Sequence, residues 1–396
     1  MNINSKSRRM SCGKVIVVTL SEPYPFGNAA ARWYYVLLKE LSRRGYRVHC
    51  FSVVTKDEWS VLAQQALAST GISLSLYPIL LNRNWLGRKW RTLRQPLSYT
   101  LSDELRRDFE REVNGEYDIL HVEQLWSGYL VEGRPRSLVM VHYLRTLDLA
   151  GLRCHFNPYL LLSRCLTSWG EQALLRRLHA IGALTDRLST AVKVINPKAQ
   201  TFTVPFAIDP SLYRFILEDR HDEPIIGFVA SMKWSPGYLA AKRLITNIFP
   251  IIKQKVPHAR LLLVGWQARE ALSEFLSLPN VTIVENVPDP KLYFDKLQVL
   301  AYPLPQGSGM MVKIMEAMAL GVPVVTTTEG IEGIEAVDGI HCFIADEDAA
   351  FAEKVIELLH NSEQRRAFRQ NARVLIEEKY APVPVVDLLE RVYVQL

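Results

Sequence analysis

The sequence predicts an α/β protein made of two successive domains, each built on a parallel sheet, and three observations carry that expectation. The chain has 396 residues, 48% of them hydrophobic and 22% charged, which is apolar material for two cores at roughly 100–200 residues per domain. A strand–helix–strand pattern opens near residue 14, and the same grammar restarts near residue 224. Between the two, residues 206–224 are polar and proline-bounded, as a hinge would be.

Lys14 opens the apolar, β-branched run KVIVVTL, of the kind that forms a buried parallel strand and here stops before Pro23, Pro25 and Gly27. From Asn28 onward Tyr34, Leu37, Leu38 and Leu41 fall at i, i+3, i+4 and i+7. Arg43 and Arg44 occupy the last turn and Gly45 follows, which is a capped helix. Residues 46–54 read as the second strand. Further strands are expected at 118–122 and 138–143, with helical pattern between and after them. In the second half the expected strands are 224–231, 259–265, 281–286, 298–304 and 322–328. Helices are expected at 238–255, 310–320, 349–361 and 363–379. In open parallel sheets ligands sit beyond the carboxyl ends of the strands, so a cleft between the two halves is the expected site.

Composition narrows the function. No apolar stretch approaches the ~18 residues that span a bilayer, and the basic leader has no apolar h-region, so a cytoplasmic protein is expected. The five cysteines (Cys12, Cys50, Cys154, Cys165, Cys342) are widely spaced and fit neither a disulfide framework nor a zinc site. Charge is uneven: residues 1–220 carry 30 basic and 19 acidic side chains, residues 221–396 carry 17 and 22. The first half therefore suits an anionic partner. Residues 82–95 contain Arg83, Arg88, Lys89, Arg91 and Arg94 with Trp85, Leu86 and Trp90 between them and no acid. Such a segment fits the anionic inner face of a membrane, with peripheral attachment, or a lipid diphosphate; a solvated basic helix is the alternative. No helix-turn-helix, zinc-finger or RNP signature accompanies it, and nucleic acid is not an expected partner.

The helix expected at 310–320 is apolar on every face except at Lys313 and Glu316, three apart on one side, and two ionisable groups on a buried helix need a reason. Gly307-Ser308-Gly309 stands at its start, where free N–H groups and the helix dipole favour an anion. Loop and Lys313 on phosphate oxygens, with Glu316 accepting from ribose hydroxyls, would hold a nucleoside diphosphate; a structural Lys313–Glu316 ion pair is the other reading. Lys233, in the loop after the strand at 224–231, is a second phosphate candidate. Gly27 and Asn28, on the first strand-to-helix turn, offer backbone N–H groups, although Asn28 is also a good N-cap. Asp346-Glu347-Asp348 spells DxD, but it directly precedes a helical run and reads as capping, so no metal is expected.

The stretch GSGMMVKIMEAMALGVPVV (307–325) resembles the donor-site signature of the retaining glycosyltransferases of family four, the group 1 glycosyl transferases. The resemblance extends to 224–265 and 355–380 and more weakly to 23–48. It implies GT-B architecture, two Rossmann-like domains with parallel sheets facing across a cleft. Residues 1–215 would bind the acceptor and 216–378 the nucleotide sugar, and 379–396 would form a helix crossing back onto the first domain. It implies transfer of a sugar, with retention and without metal or other cofactor, from a nucleoside-diphosphate sugar to a hydroxyl acceptor in glycan, glycolipid or glycosylated-metabolite biosynthesis. His142 and Glu316 would be the central groups. Gly27, Asn28, Lys233, Gly307, Ser308, Gly309 and Lys313 would contact the donor, and Arg32, His121, Glu123 and His142 the acceptor. The chain departs from the family pattern at Ser308, in place of the first glutamate of an E-x7-E pair, and at Met310 and Met311, in place of Thr and Arg. Ser231 and Pro236 replace the usual Arg and Lys phosphate clamp. A nucleotide-sugar epimerase or hydrolase, and a silent nucleotide-sugar-binding partner, are the alternatives.

Overall fold

The computed structural model describes residues 13–54, 57–79, 101–148, 158–219, 223–287 and 289–396. The first domain is a seven-stranded sheet of β1 (Lys14–Thr19), β2 (Arg47–Val54), β3 (Ser73–Pro78), β4 (Ile119–Glu123), β5 (Ser137–Val141), β6 (Ala180–Ala183) and β7 (Gln200–Thr203). Its order is β3-β2-β1-β4-β5-β6-β7, parallel throughout. The second is a six-stranded parallel sheet of β8 (Ile225–Val229), β9 (Arg260–Gly265), β10 (Val281–Glu285), β11 (Val299–Tyr302), β12 (Val324–Thr326) and β13 (Phe343–Ile344), in the order β10-β9-β8-β11-β12-β13. Strand order reverses at β1/β4 and at β8/β11, where such sheets open a crevice at their carboxyl ends.

Five helices position the site: α1 (Ala29–Arg43), α2 (Ser235–Arg243), α3 (Val312–Leu320), α4 (Ser362–Lys379) and α5 (Pro382–Tyr393). Asn28 caps α1, its Oδ1 accepting from Ala31 N at 2.9 Å, and Trp33, Tyr34, Leu37, Leu38 and Leu41 are buried. α3 is buried over most of its length and ends where Gly321 takes a left-handed φ of 79°. α5 leaves the second domain and packs on α1, where the Arg44 guanidinium meets Asp387 at 2.6 Å and Glu390 at 2.7 Å.

Several elements differ from the sequence reading. The helix expected at 238–255 is α2, then a wider turn at Leu244–Ile248 with Phe249 N bonded to Leu244 O, then Phe249–Lys255. Pro250 has no N–H with which to continue the α ladder. α3 starts at Val312 rather than 310, because Met310 is drawn to the other domain, its Sδ accepting from Phe206 N at 3.3 Å. β3, β6 and β7 were not legible: SLSLYP and QTFT are half-polar edge strands, and AIGA is short and small. The basic segment 82–95 lies outside the described residues. Among those described, no helix is long and apolar enough to cross a membrane.

Candidate active site

A cavity of ≈ 820 Å³ lies where the carboxyl ends of the two sheets meet. The first domain contributes Asn28 after β1, Gln124 after β4, and His142, Tyr143, Arg145 and Asp148 after β5. The second contributes Ser231, Lys233, Trp234 and Pro236 after β8, and Ser308, Met310, Met311 and Lys313 after β11. All belong to the loops that follow these strands or to the first turns of the helices after them, where a parallel sheet presents its carboxyl-end segments.

Of the residues expected in the site, Asn28, His142, Lys233, Ser308 and Lys313 line this cavity, and Gly27, Arg32, His121, Glu123, Gly307, Gly309 and Glu316 do not. These placements have physical reasons. Glu316 is 0% exposed and lies beneath the wall. Its Oε1 accepts from Arg32 and, at 3.1 Å, from the Tyr213 hydroxyl, and its Oε2 pairs with Lys313 Nζ at 2.7 Å. The carboxylate meant for ribose is thus already solvated by protein, and the structural ion pair with Lys313 is real. Arg32, expected against an acceptor, turns inward instead; its Nε donates to the Gly27 carbonyl at 2.8 Å and its NH1 to Glu316 across the domain boundary. His121 and Glu123 are likewise fully buried, packed behind His142 rather than in the cleft.

The 307–309 loop is a domain fastener. Ser308 Oγ donates to Asp148 Oδ1 at 2.6 Å and accepts from Leu144 N at 3.1 Å, and Arg187 reaches the Gly307 carbonyl and Glu332. Gly309 has φ 84°, and a Cβ there would lie 2.2 Å from the His142 carbonyl oxygen, so only glycine allows the close approach. Asp346 and Asp348, from the DxD-like triplet, are engaged by Thr328 and by Arg243 and Asn247.

The cavity wall is electropositive. Arg145, Lys233 and Lys313 line it together with one carboxylate, Asp148, which is already bonded to Ser308 and, at 3.5 Å, to Trp234 Nε1. Burial pushes the Asp148 carboxyl up, opposed by those donors, and pushes the Lys313 ammonium down against the pull of Glu316. Three cations around an open volume match a diphosphate in charge and in their number of donors. Arg145, Tyr143, Trp234 and Asp148 were not identified from sequence. A loop arginine just past a strand end was the available signal for Arg145; nothing local distinguished the other three.

Residues 223–361 match the family of glycosyl transferases group 1. Over 183 residues, 44% of this chain, the sequence is 31% identical to a capsular polysaccharide biosynthesis glycosyltransferase, CapM, of Staphylococcus aureus; the match takes in 46% of that protein. Among solved structures the chain is similar to a sucrose-phosphate synthase from Thermosynechococcus elongatus (TM-score 0.69, 14% identity, 97% and 98% of the two chains). It is also similar to Anabaena HepE in complex with UDP-glucose (TM-score 0.67, 14% identity, 97% and 100%) and to TarM (TM-score 0.69, 10% identity, 97% and 99%). The fold is GT-B.

Proposed function

From a second domain that carries the group 1 glycosyltransferase sequence on a GT-B fold, we propose that this chain transfers a sugar, with retention, from a nucleoside-diphosphate sugar to a hydroxyl acceptor. The observation that carries the proposal is the trio Arg145, Lys233 and Lys313 around the inter-domain cavity. Where relatives place Arg and Lys, this chain has Ser231, Pro236 and Met311, and the trio supplies the charge that those positions lack. Lys313 is held by Glu316 so that its ammonium meets the wall. The donor diphosphate would lie along these cations, with the base toward Trp234 and the acceptor entering past His142 and Gln124.

Cationic side chains provide the leaving-group stabilisation that a divalent metal gives elsewhere, so we propose metal-independent transfer. Same-face attack assisted by the leaving phosphate fits the wall better than double displacement, because its carboxylate, Asp148, is tied to Ser308 and Trp234. The capsular relative suggests a glycan or glycolipid product and a cytoplasmic enzyme. UDP is the first nucleotide to try, since it is what HepE binds.

The test is incubation with UDP-glucose and other nucleotide sugars, with and without a panel of sugar and lipid-linked acceptors in the presence of EDTA. Acceptor-dependent release of the nucleotide, with the product's anomeric configuration unchanged by NMR, is the expected result; inversion, or loss of turnover in EDTA, refutes the corresponding part. A silent nucleotide-binding role is the second reading, favoured by the apolar Met310 and Met311 on the wall and by Arg32 occupying Glu316. It predicts nucleotide binding with no donor consumed.

A further inference from the structure

Glu123, the last residue of β4, is 0% exposed and accepts three hydrogen bonds. Trp33 Nε1 donates to its Oε1 at 2.8 Å, His121 Nε2 meets the same oxygen at 2.8 Å, and His142 Nε2 meets Oε2. Burial pushes this carboxyl up, but His142 and His121 outweigh it and hold it at about 2, so it is ionised and only accepts. Both Nε2 atoms therefore carry protons.

Behind His121 the chain of bonds ends on α5, where the Tyr393 hydroxyl lies 2.6 Å from His121 Nδ1. Burial, with Glu123 adding to it, holds that phenol far above its ordinary titration range, so it keeps its proton and can donate it to the Nδ1 of a neutral His121 ring. With both rings neutral, Tyr393 donates to His121 Nδ1, and His121 Nε2 and His142 Nε2 each donate to Glu123. The His142 ring is held between Phe206, edge-on with centroids 4.8 Å apart, and Tyr34 at 6.0 Å, and it cannot turn over freely. His142 lines the cavity, and among the described residues its Nδ1 has no hydrogen-bond partner.

We propose that Glu123 is a positioning residue that locks His142 with its proton on Nε2, so that Nδ1 meets the cleft as a hydrogen-bond acceptor for a sugar hydroxyl. The hydroxyl assignment rests on the sugar-transfer reading; the tautomer does not. A donor-type ring nitrogen would suit a phosphate or carboxylate, whereas an acceptor nitrogen selects an O–H.

The experiment is ¹⁵N NMR of the full chain labelled at histidine, with His142 assigned by loss of its signals in His142→Gln. At alkaline pH, with the ring neutral, the wild type is expected to show the Nε2–H pattern; an Nδ1–H pattern overturns the proposal. In Glu123→Gln the amide oxygen must stay toward Trp33 and His121, because the indole can only donate. The amide NH2 then faces His142 and drives its proton to Nδ1. A folded Glu123→Gln with the wild-type tautomer overturns the lock. Should this variant not fold, Tyr393→Phe probes the far end of the chain, and the wild-type spectrum still decides.

Binding of UDP and of UDP-glucose to Glu123→Gln separates the source of the hydroxyl. A loss of roughly 10-fold for UDP-glucose with UDP unchanged assigns it to the donor sugar. A loss of the same size confined to the acceptor KM assigns it to the acceptor. No change in either overturns the hydroxyl contact. If the wild type binds no nucleotide, the sugar-transfer reading fails while the tautomer result stands by itself.

Discussion

Breaking the Arg32–Glu316 pair tests the closed arrangement of the two domains. The pair joins α1 of one domain to α3 of the other, 284 residues apart in sequence, with 5% and 0% of the side chains exposed. Glu316→Leu would leave the Arg32 guanidinium beside the Lys313 ammonium with no anion between them, and breaking a buried pair in this way costs about 3–5 kcal/mol. Arg32→Leu is milder, about 2–3 kcal/mol, because Lys313 and Tyr213 still hold the carboxylate. At about 2.1 cal/mol/K of unfolding entropy per residue, 1 kcal/mol moves the Tm of this chain by roughly 1.2 °C, so Glu316→Leu should lower it by about 4–6 °C. The double replacement removes both charges and should recover at least ~2 kcal/mol relative to the sum of the singles. Burial pushes the Glu316 carboxyl up, but Arg32 and Lys313 more than offset it and hold it below its ordinary value. A depressed folded value means the stabilisation is complete above the ordinary carboxylate range and disappears as pH falls through the folded value. The gap between wild type and Glu316→Leu in scanning calorimetry should therefore close in acid. Additive singles, or a single that leaves Tm within about 1 °C, would refute the buried inter-domain pair.

Lys233→Ala, Lys313→Ala and Arg145→Ala should each weaken UDP binding by roughly 10-fold or more while leaving uridine binding unchanged, because a charge-assisted bond to phosphate is worth about 1.5–3 kcal/mol. Titration calorimetry reads both ligands, and equal losses for the two would place the cations elsewhere. Glu123, held at about 2 by His142 and His121 against the push of burial, contributes stability that is present above the ordinary carboxylate value and lost toward pH 2. The stability difference between wild type and Glu123→Gln should be widest near neutrality and shrink through that window in urea titrations. Gly309→Ala combines a left-handed φ with a Cβ 2.2 Å from the His142 carbonyl oxygen, and should cost more than about 1 kcal/mol. Because that carbonyl shifts with the loop, nucleotide affinity should fall with it; an unchanged Tm would show that the loop relaxes at no cost.

The sequence by itself determined the two-domain α/β class, the strand–helix–strand openings at β1–α1–β2 and at β8–α2–β9, and the buried character of α3. It also determined that Lys313 and Glu316 share one face of that helix. These are local properties: a β-branched apolar run, a 3.6-residue period and a two-sided hydrophobic helix are each written within about 15 residues. Where the local signal was thin, as in QTFT of β7 and AIGA of β6, pairing with neighbouring strands made the element instead.

Only the tertiary structure decided which charges face the cleft. Arg32 and Glu316 became each other's partners, and Arg145, with only its place after a strand end to mark it, came to line the wall. His121, Glu123 and Tyr393 became a buried chain behind His142. Whether a titratable side chain meets solvent, substrate or an opposite charge depends on what a distant segment places beside it. That distance is set by the closing of two sheets against one another, and no period or spacing along the chain records it.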